Sequence, residues 1–249
     1  VEWCDDAIVL NNVSLSDTRT LLDVYTRHHG RYKGTLYKNK TASKGGGCQI
    51  GDHVTVHWRA RLHEHLGTFK AETLHSPAAL CLFSPQALYG LRALCALTTT
   101  CVSERDPCSE IHEALQNSIS GVHQTDSAIH MIRFELTLLR ILGYGLDLKR
   151  CARTGRTEDL CYVSPRTGRA VSRQGAGHYA PRLLPLPSFF HTLLEEDLPL
   201  PDSISSSDLQ NGFQLMEFFF LRHLRHHPKW ELPHVRTLFI SESLRLWKR

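Results

Sequence analysis

Residues 53–60 read His-Val-Thr-Val-His-Trp-Arg-Ala, so Val54, Val56, Trp58 and Ala60 alternate with polar neighbours. A period of two gives a strand one buried face and one wet face. This is the clearest of five strand-like runs in the first 75 residues. The others are Ala7-Ile8-Val9-Leu10, residues 21–26, residues 31–37 and residues 66–74, with Gly30 at a turn that suits positive φ. Five short strands in so little chain fit a small closed barrel.

The pattern then changes to helices. Ser84-Pro85 sets an N-cap and a first-position proline for a helix to about Thr100. Asp106-Pro107 repeats that signal for a helix to about Ser120. Ile129, Ile132, Leu136, Leu139 and Leu142 follow three/four spacing over residues 127–142, and Gly143 and Gly145 end the run. Residues 147–187 are rich in Gly, Arg, Ser and Pro, lack a helical period, and read as irregular with short strands. A capping box at Ser207-Asp208-Leu209-Gln210 opens a helix through Leu224, and Pro233 begins a last one to about Trp247. There is no internal repeat. The expected division is 1–78 for the barrel and 79–249 for the helical part, with the irregular insert at about 147–187.

Composition narrows the function. The chain has 249 residues, 41% hydrophobic and 22% charged, which is ample for a core and excludes disorder. No apolar run nears the ~18 residues of a membrane span. The acidic opening Glu2-Trp3-Cys4-Asp5-Asp6 lacks a basic-then-apolar leader and reads as not secreted. Eight scattered cysteines without a CxxC pair therefore read as free thiols. Sixteen histidines include no HExxH, and the adjacent pairs His28-His29 and His226-His227 point to different faces. No GxSxG or P-loop is present, and Gly45-Gly46-Gly47 lacks the Lys-Ser/Thr of a phosphate loop. The expectation is a protein that is not an enzyme and holds no cofactor.

Net charge is only +4, but its placement is informative. Residues 27–44 contain Arg27, Arg31, Lys33, Lys38, Lys40 and Lys44 with no acid, and Tyr32 and Tyr37 are interleaved. Cations neutralise phosphates and aromatic rings stack on bases, and strands two and three of a five-stranded barrel are a common nucleic-acid face. The competing reading is a solvated basic surface with core tyrosines. A second basic group, with Arg222, Arg225 and Lys229, lies near the C-terminus. It suits a solvated helix face, phosphate or an acidic peptide equally.

The chain opens with Ala7-Ile8-Val9-Leu10, Ser16-Asp17, residues 22–26 and Gly30-Arg31. Arg133-Phe134-Glu135-Leu136, Leu142-Gly143-Tyr144-Gly145 and Cys151 follow, and then Tyr162-Val163-Ser164-Pro165, Gly168 and Leu184-Pro185-Leu186-Pro187. In this order the pieces resemble the RecO family of bacterial recombination mediators, and the last group is similar to alphaproteobacterial members. The resemblance implies an α+β chain: an N-terminal five-stranded OB-fold β-barrel, then an α-helical domain with an irregular, zinc-ribbon-like insert. It also implies binding and annealing of single-stranded DNA, and helping a recombinase replace single-strand-binding protein. The implied partners are single-stranded and duplex DNA, RecR, and the acidic C-terminal tail of single-strand-binding protein, in a cytoplasmic, nucleoid-associated setting. By resemblance, Arg133 and Arg236 border a pocket for that tail. The alternatives are an OB-fold RNA-binding protein and a protein-interaction scaffold. Many members carry two CxxC pairs for zinc; here Thr154, Ser172 and Gly175 accompany Cys151, so the insert is expected to fold without metal, on Tyr162, Val163 and Val171.

Overall fold

The computed structural model describes residues 1–37, 47–194, 201, 203–224 and 231–247. Five strands come first: β1 (Glu2–Ser16), β2 (Arg19–Thr26), β3 (Gly30–Tyr37), β4 (His53–Arg59) and β5 (Gly67–His75). They close into a barrel in the order β1-β2-β3-β5-β4, with β4 pairing back onto β1. All pairings are antiparallel except β3 with β5, where Gly34, Thr35 and Leu36 face Gly67, Thr68 and Phe69. That closure needs its facing glycines. A Cβ on Gly34 would lie 2.7 Å from the Phe69 ring, and one on Gly67 2.2 Å from the Trp58 indole. The aromatic filling thus lies directly against backbone at the seam. Ala7, Val9, Leu22, Val24, Tyr32, Val54, Val56, Trp58 and Phe69 form the interior.

The expected run at residues 7–10 is the middle of a much longer strand. Ala7, Ile8, Val9 and Leu10 are all buried, although alternate residues face opposite ways. The reason is that helices cover the outer face of β1. These are α2 (Pro85–Cys101) and α3 (Ser109–Gly121), preceded by the four-residue α1 (Ala78–Cys81), which the periodicity does not reveal. Ser84 caps α2 as expected, accepting a bond from the Ala87 N–H at 3.2 Å. Helix α3 starts two residues beyond Pro107, with Cys108 as its N-cap residue.

Next come α4 (Ser127–Leu139) and a π-helical turn, Arg140–Tyr144, in which Gly143 has φ +86°. The insert is a small antiparallel sheet of β6 (Leu160–Val163), β7 (Ala170–Ser172) and β8 (Leu184–Pro185), in the order β7-β6-β8. The short α5 (Arg173–Ala176) and a 3-10 turn, Gly177–Arg182, join β7 to β8. Val163 and Val171 are buried there, and Tyr162 is half-buried. Then follow α6 (Phe190–Leu194), α7 (Ser206–Leu224) and α8 (His234–Trp247). The cap of α7 is Ser205, two residues before the expected box. Its hydroxyl accepts from the Asp208 N–H at 2.9 Å and donates to the Asp208 carboxylate at 2.7 Å.

The compact units do not follow the division at residue 78. One comprises Val1–His130 with Pro233–Phe239, the other Met131–Leu232 with Ile240–Arg249. Helices α2 and α3 go with the barrel because they complete the burial of β1. In the second unit Gly212 of α7 admits Phe189, Phe190 and Ile132 within 3.1 Å of where its Cβ would be. No helix among the described residues is long and apolar enough to cross a membrane.

Candidate nucleic-acid interface

Strand alternation sorts the basic, aromatic stretch into two faces. Arg31, Lys33, Thr35 and Tyr37 point outward from β3, and Tyr32 points into the barrel. Tyr32 is 7% exposed and meets Trp3 and Trp58 edge-on, at 5.0 and 5.3 Å between centroids. It belongs to the core and offers no ring face to a base.

Arg31 is the second departure from a DNA-binding role. It is 8% exposed. Its Nε and Nη2 donate to the Asp23 carboxylate at 3.0 and 2.7 Å, and its Nη1 donates to the Thr99 and Val102 carbonyls at 2.6 and 3.1 Å. The guanidinium thus caps the C-terminal end of α2, where a helix leaves carbonyls unpaired and favours positive charge. Two further cations are paired at the surface: Lys33 with Glu104 at 2.5 Å and Arg27 with Glu113 at 3.0 Å. Lys38, Lys40 and Lys44 lie outside the described residues.

What stays open is the far end of the same outer face, beyond the reach of α2 and α3. Tyr37 is 57% exposed there. Its direct cross-strand neighbour is Arg19, also exposed, and the next row is Val13, Leu21 and Thr35. Arg19 stands outside the acid-free stretch, so charge counting along the chain passes over it. The pairing register is the signal that places it beside Tyr37. This edge ends where residues 38–46 begin.

The other site residues fall in different units. Arg133 is exposed on α4, whereas Arg236 is 2% exposed and engaged within its own surroundings. A buried guanidinium is not presented to an incoming carboxylate. Of the C-terminal group, Arg222 donates from Nη1 to the Pro165 carbonyl at 2.5 Å, and Arg225 and Lys229 lie outside the described residues.

Titratable groups crowd one part of the first unit. The Asp5 carboxylate is buried and accepts from the His28 backbone N–H at 2.8 Å, and it pairs with Nδ1 of His28 at 2.8 Å and Nδ1 of His29 at 2.9 Å. Burial alone would raise its pKa, but these bonds prevail and hold it at about 2. His29 stacks on Trp3 at 4.2 Å, and Trp3 stacks on Trp58 at 5.5 Å. His112 of α3 is 5% exposed, and neither ring nitrogen has a partner among the described residues. The same holds for Nε2 of His53. Burial pushes both imidazoles below their ordinary range; His75 adds to this at His53, and His53 and Arg27 add to it at His112.

In the insert, the positions of the two CxxC pairs do come together. The Ser172 hydroxyl donates to Cys151 Sγ at 3.3 Å, and the Thr154 N–H donates to the same sulfur at 3.4 Å. The Gly175 N–H donates to Ser172 Oγ at 3.1 Å. A Cβ on Gly175 would lie 2.8 Å from Cys151 Sγ. Hydrogen bonds occupy the space that four thiolates would share around an ion. Among the described residues no group of three or more His, Cys, Asp or Glu is placed to hold a metal. Burial raises the Cys151 thiol, but bonds from Ser172 and Thr154 outweigh it and hold it at about 6. Thiolate absorbance, taken as wild type minus Cys151→Ser, is therefore expected to show one thiol ionising near pH 6. Ser172→Ala should move that midpoint upward; a midpoint near the ordinary cysteine value would contradict the bonding.

A five-stranded barrel closed in this order defines an OB-fold protein, with an exposed aromatic and cationic edge on strands two and three. The family model "Recombination protein O N terminal" matches residues 1–77, and "Recombination protein O C terminal" matches residues 82–233. The chain belongs to the RecO family of DNA repair and recombination proteins. It is 38% identical over 242 residues to the DNA repair protein RecO of Mesorhizobium japonicum, covering 97% of this chain and 93% of that one. It is 40% identical over 225 residues to that of a Bradyrhizobium strain, covering 90% and 88%. It is 38% identical over 250 residues to that of Rhodopseudomonas palustris, covering 100% and 96%.

Proposed function

We propose that this protein is a recombination mediator that acts in DNA repair by binding and annealing single-stranded DNA. In this reading it also helps a recombinase displace single-strand-binding protein, with RecR and the acidic tail of single-strand-binding protein as partners. It works in the cytoplasm at the nucleoid, makes and breaks no covalent bond, and uses no cofactor. The observation that carries the reading is the open edge at Tyr37 and Arg19, on an OB barrel of the RecO family. A ring on the outer face gives bases a stacking platform, and adjacent cations neutralise phosphates.

Anisotropy of a labelled oligonucleotide across a salt series tests this. Tyr37→Ala should weaken binding by about 1–3 kcal/mol with the salt slope unchanged. Arg19→Gln should lower the slope of log affinity against log salt by roughly 0.7, and a Lys38/Lys40/Lys44→Gln triple variant by up to roughly 0.7 per lysine. Absence of any salt-dependent binding by the wild type would defeat the proposal. A firm preference for RNA in competition would move it to the RNA-binding alternative.

A further inference from the structure

The positive charge of this protein is not concentrated where the barrel would suggest. Residues 147–187 hold eight Lys/Arg against three Asp/Glu, and the rest of the chain has one more acid than base. All eight cations are exposed. Arg169 is paired with Asp147 at 3.1 Å and Arg173 with Asp159 at 3.5 Å. Lys149, Arg150, Arg156, Arg166 and Arg182 have no acidic partner among the described residues. On the barrel, Arg27, Arg31, Lys33 and Arg59 are in ion pairs, and Arg19 and Lys70 are the strand cations with no acidic partner among the described residues.

We infer that the three-stranded sheet carries a second binding surface for the backbone of single-stranded DNA, centred on the turn of residues 149–156. Three observations converge on it. The turn is firmly built: Cys151 N–H donates to the Arg156 carbonyl at 2.7 Å, Ala152 N–H to the Ala170 carbonyl at 2.8 Å, and Cys151 Sγ receives the bonds from Thr154 and Ser172. The polar cluster that replaces the cysteine pairs therefore holds Arg150, Arg153 and Arg156 in place on its rim. An exposed ring also stands beside them. Tyr179 is 45% exposed, its centroid lies 5.8 Å from the Arg153 guanidinium, and the His178 ring is 4.1 Å away. Arg153 is oriented by donating to the Gly175 carbonyl at 2.9 Å. Finally, the unpaired cations are mainly arginines, whose forks match phosphate oxygens, and a neighbouring aromatic face accepts a base. Annealing requires two strands to be held at once, so a second surface gives the proposed activity its second strand. The inference rests on that proposed activity.

The test uses the full chain with Lys149, Arg150, Arg156 and Arg182 all changed to Gln, its fold checked by circular dichroism and melting. The substituted side chains are exposed and have no acidic partner among the described residues, so the melting temperature should match the wild type. The salt slope on an oligothymidylate should fall by roughly 0.7 for each phosphate no longer neutralised, and the annealing rate of complementary strands by about tenfold or more. Tyr179→Ala should weaken binding several-fold to about a hundredfold, with the slope kept. A fourfold variant with wild-type slope and annealing rate overturns the second surface, while wild-type binding leaves the barrel reading standing. If that variant keeps DNA but loses an acidic peptide ending in an aromatic residue, the surface belongs to a protein partner and the inference falls. If the wild type binds no DNA, both fall together.

Discussion

Arg31→Ala is expected to lower the unfolding free energy by about 3–5 kcal/mol, the usual effect of removing one partner from a buried charge pair. The substitution leaves Asp23, itself 5% exposed, as an uncompensated carboxylate. It also strips the donors from the Thr99 and Val102 carbonyls. Lysine should not restore the loss, because one ammonium cannot reproduce a fork that serves a carboxylate and two carbonyls together. Replacing both partners, as in Arg31→Met with Asp23→Leu, should recover much of the stability, since the orphaned charge is gone. Denaturant melts of the single and double variants measure this. The folded fraction of Arg31→Ala should bind oligonucleotide with an unchanged salt slope. A reduced slope with unchanged stability would return Arg31 to the DNA-binding set.

Acidification should destabilise the first unit in two stages. His53 and His112 have folded pKa values below the ordinary 6.5. The unfolded chain therefore binds more protons than the native one as pH falls through 6.5. The stability tied to neutral imidazoles is full above that value and is lost below it, at about 1.4 kcal/mol for each unit by which a folded pKa is depressed. Asp5 acts lower on the scale. With a pKa of about 2 against the ordinary 3.8, it contributes about 2 kcal/mol that is complete above 3.8 and disappears towards 2. Melting temperatures from pH 8 to pH 2 should fall in both windows. His112→Leu should flatten the upper stage, and Asp5→Asn the lower. A curve that is flat between pH 7 and 5 would show that the two imidazoles are solvated.

The architecture was legible because period-two alternation is a local signal. Val54, Val56 and Trp58 announce their own strand, and Ser84-Pro85 announces its own helix. The basic surface was not legible in the same way, because its neutralisation is nonlocal. The stretch from 27 to 44 has no acid in it, yet Glu104 and Glu113 reach Lys33 and Arg27 across more than seventy positions. Arg31 meets Asp23 only once β2 and β3 are in register. Tyr32 is a different case. Alternation along β3 already assigns it to the opposite face from Arg31 and Lys33, and counting aromatics without parity conceals that. In the insert, the cationic surplus is in plain view, but its composition reads as irregular chain. Only the fold shows that Cys151, Thr154, Ser172 and Gly175 pin a turn on which those arginines sit.

The eight cysteines, none of them in a disulfide, acquire a use from where they lie. Cys4 is exposed, and Cys48, Cys81, Cys95, Cys101 and Cys151 are buried. They sample the barrel interior, the helices packed on it and the small sheet. An alkylating pulse followed by peptide mass mapping would read, thiol by thiol, how often each neighbourhood opens to solvent. The chain thus carries an intrinsic set of breathing reporters in both compact units, and adding a DNA strand would show directly which of them it clamps shut.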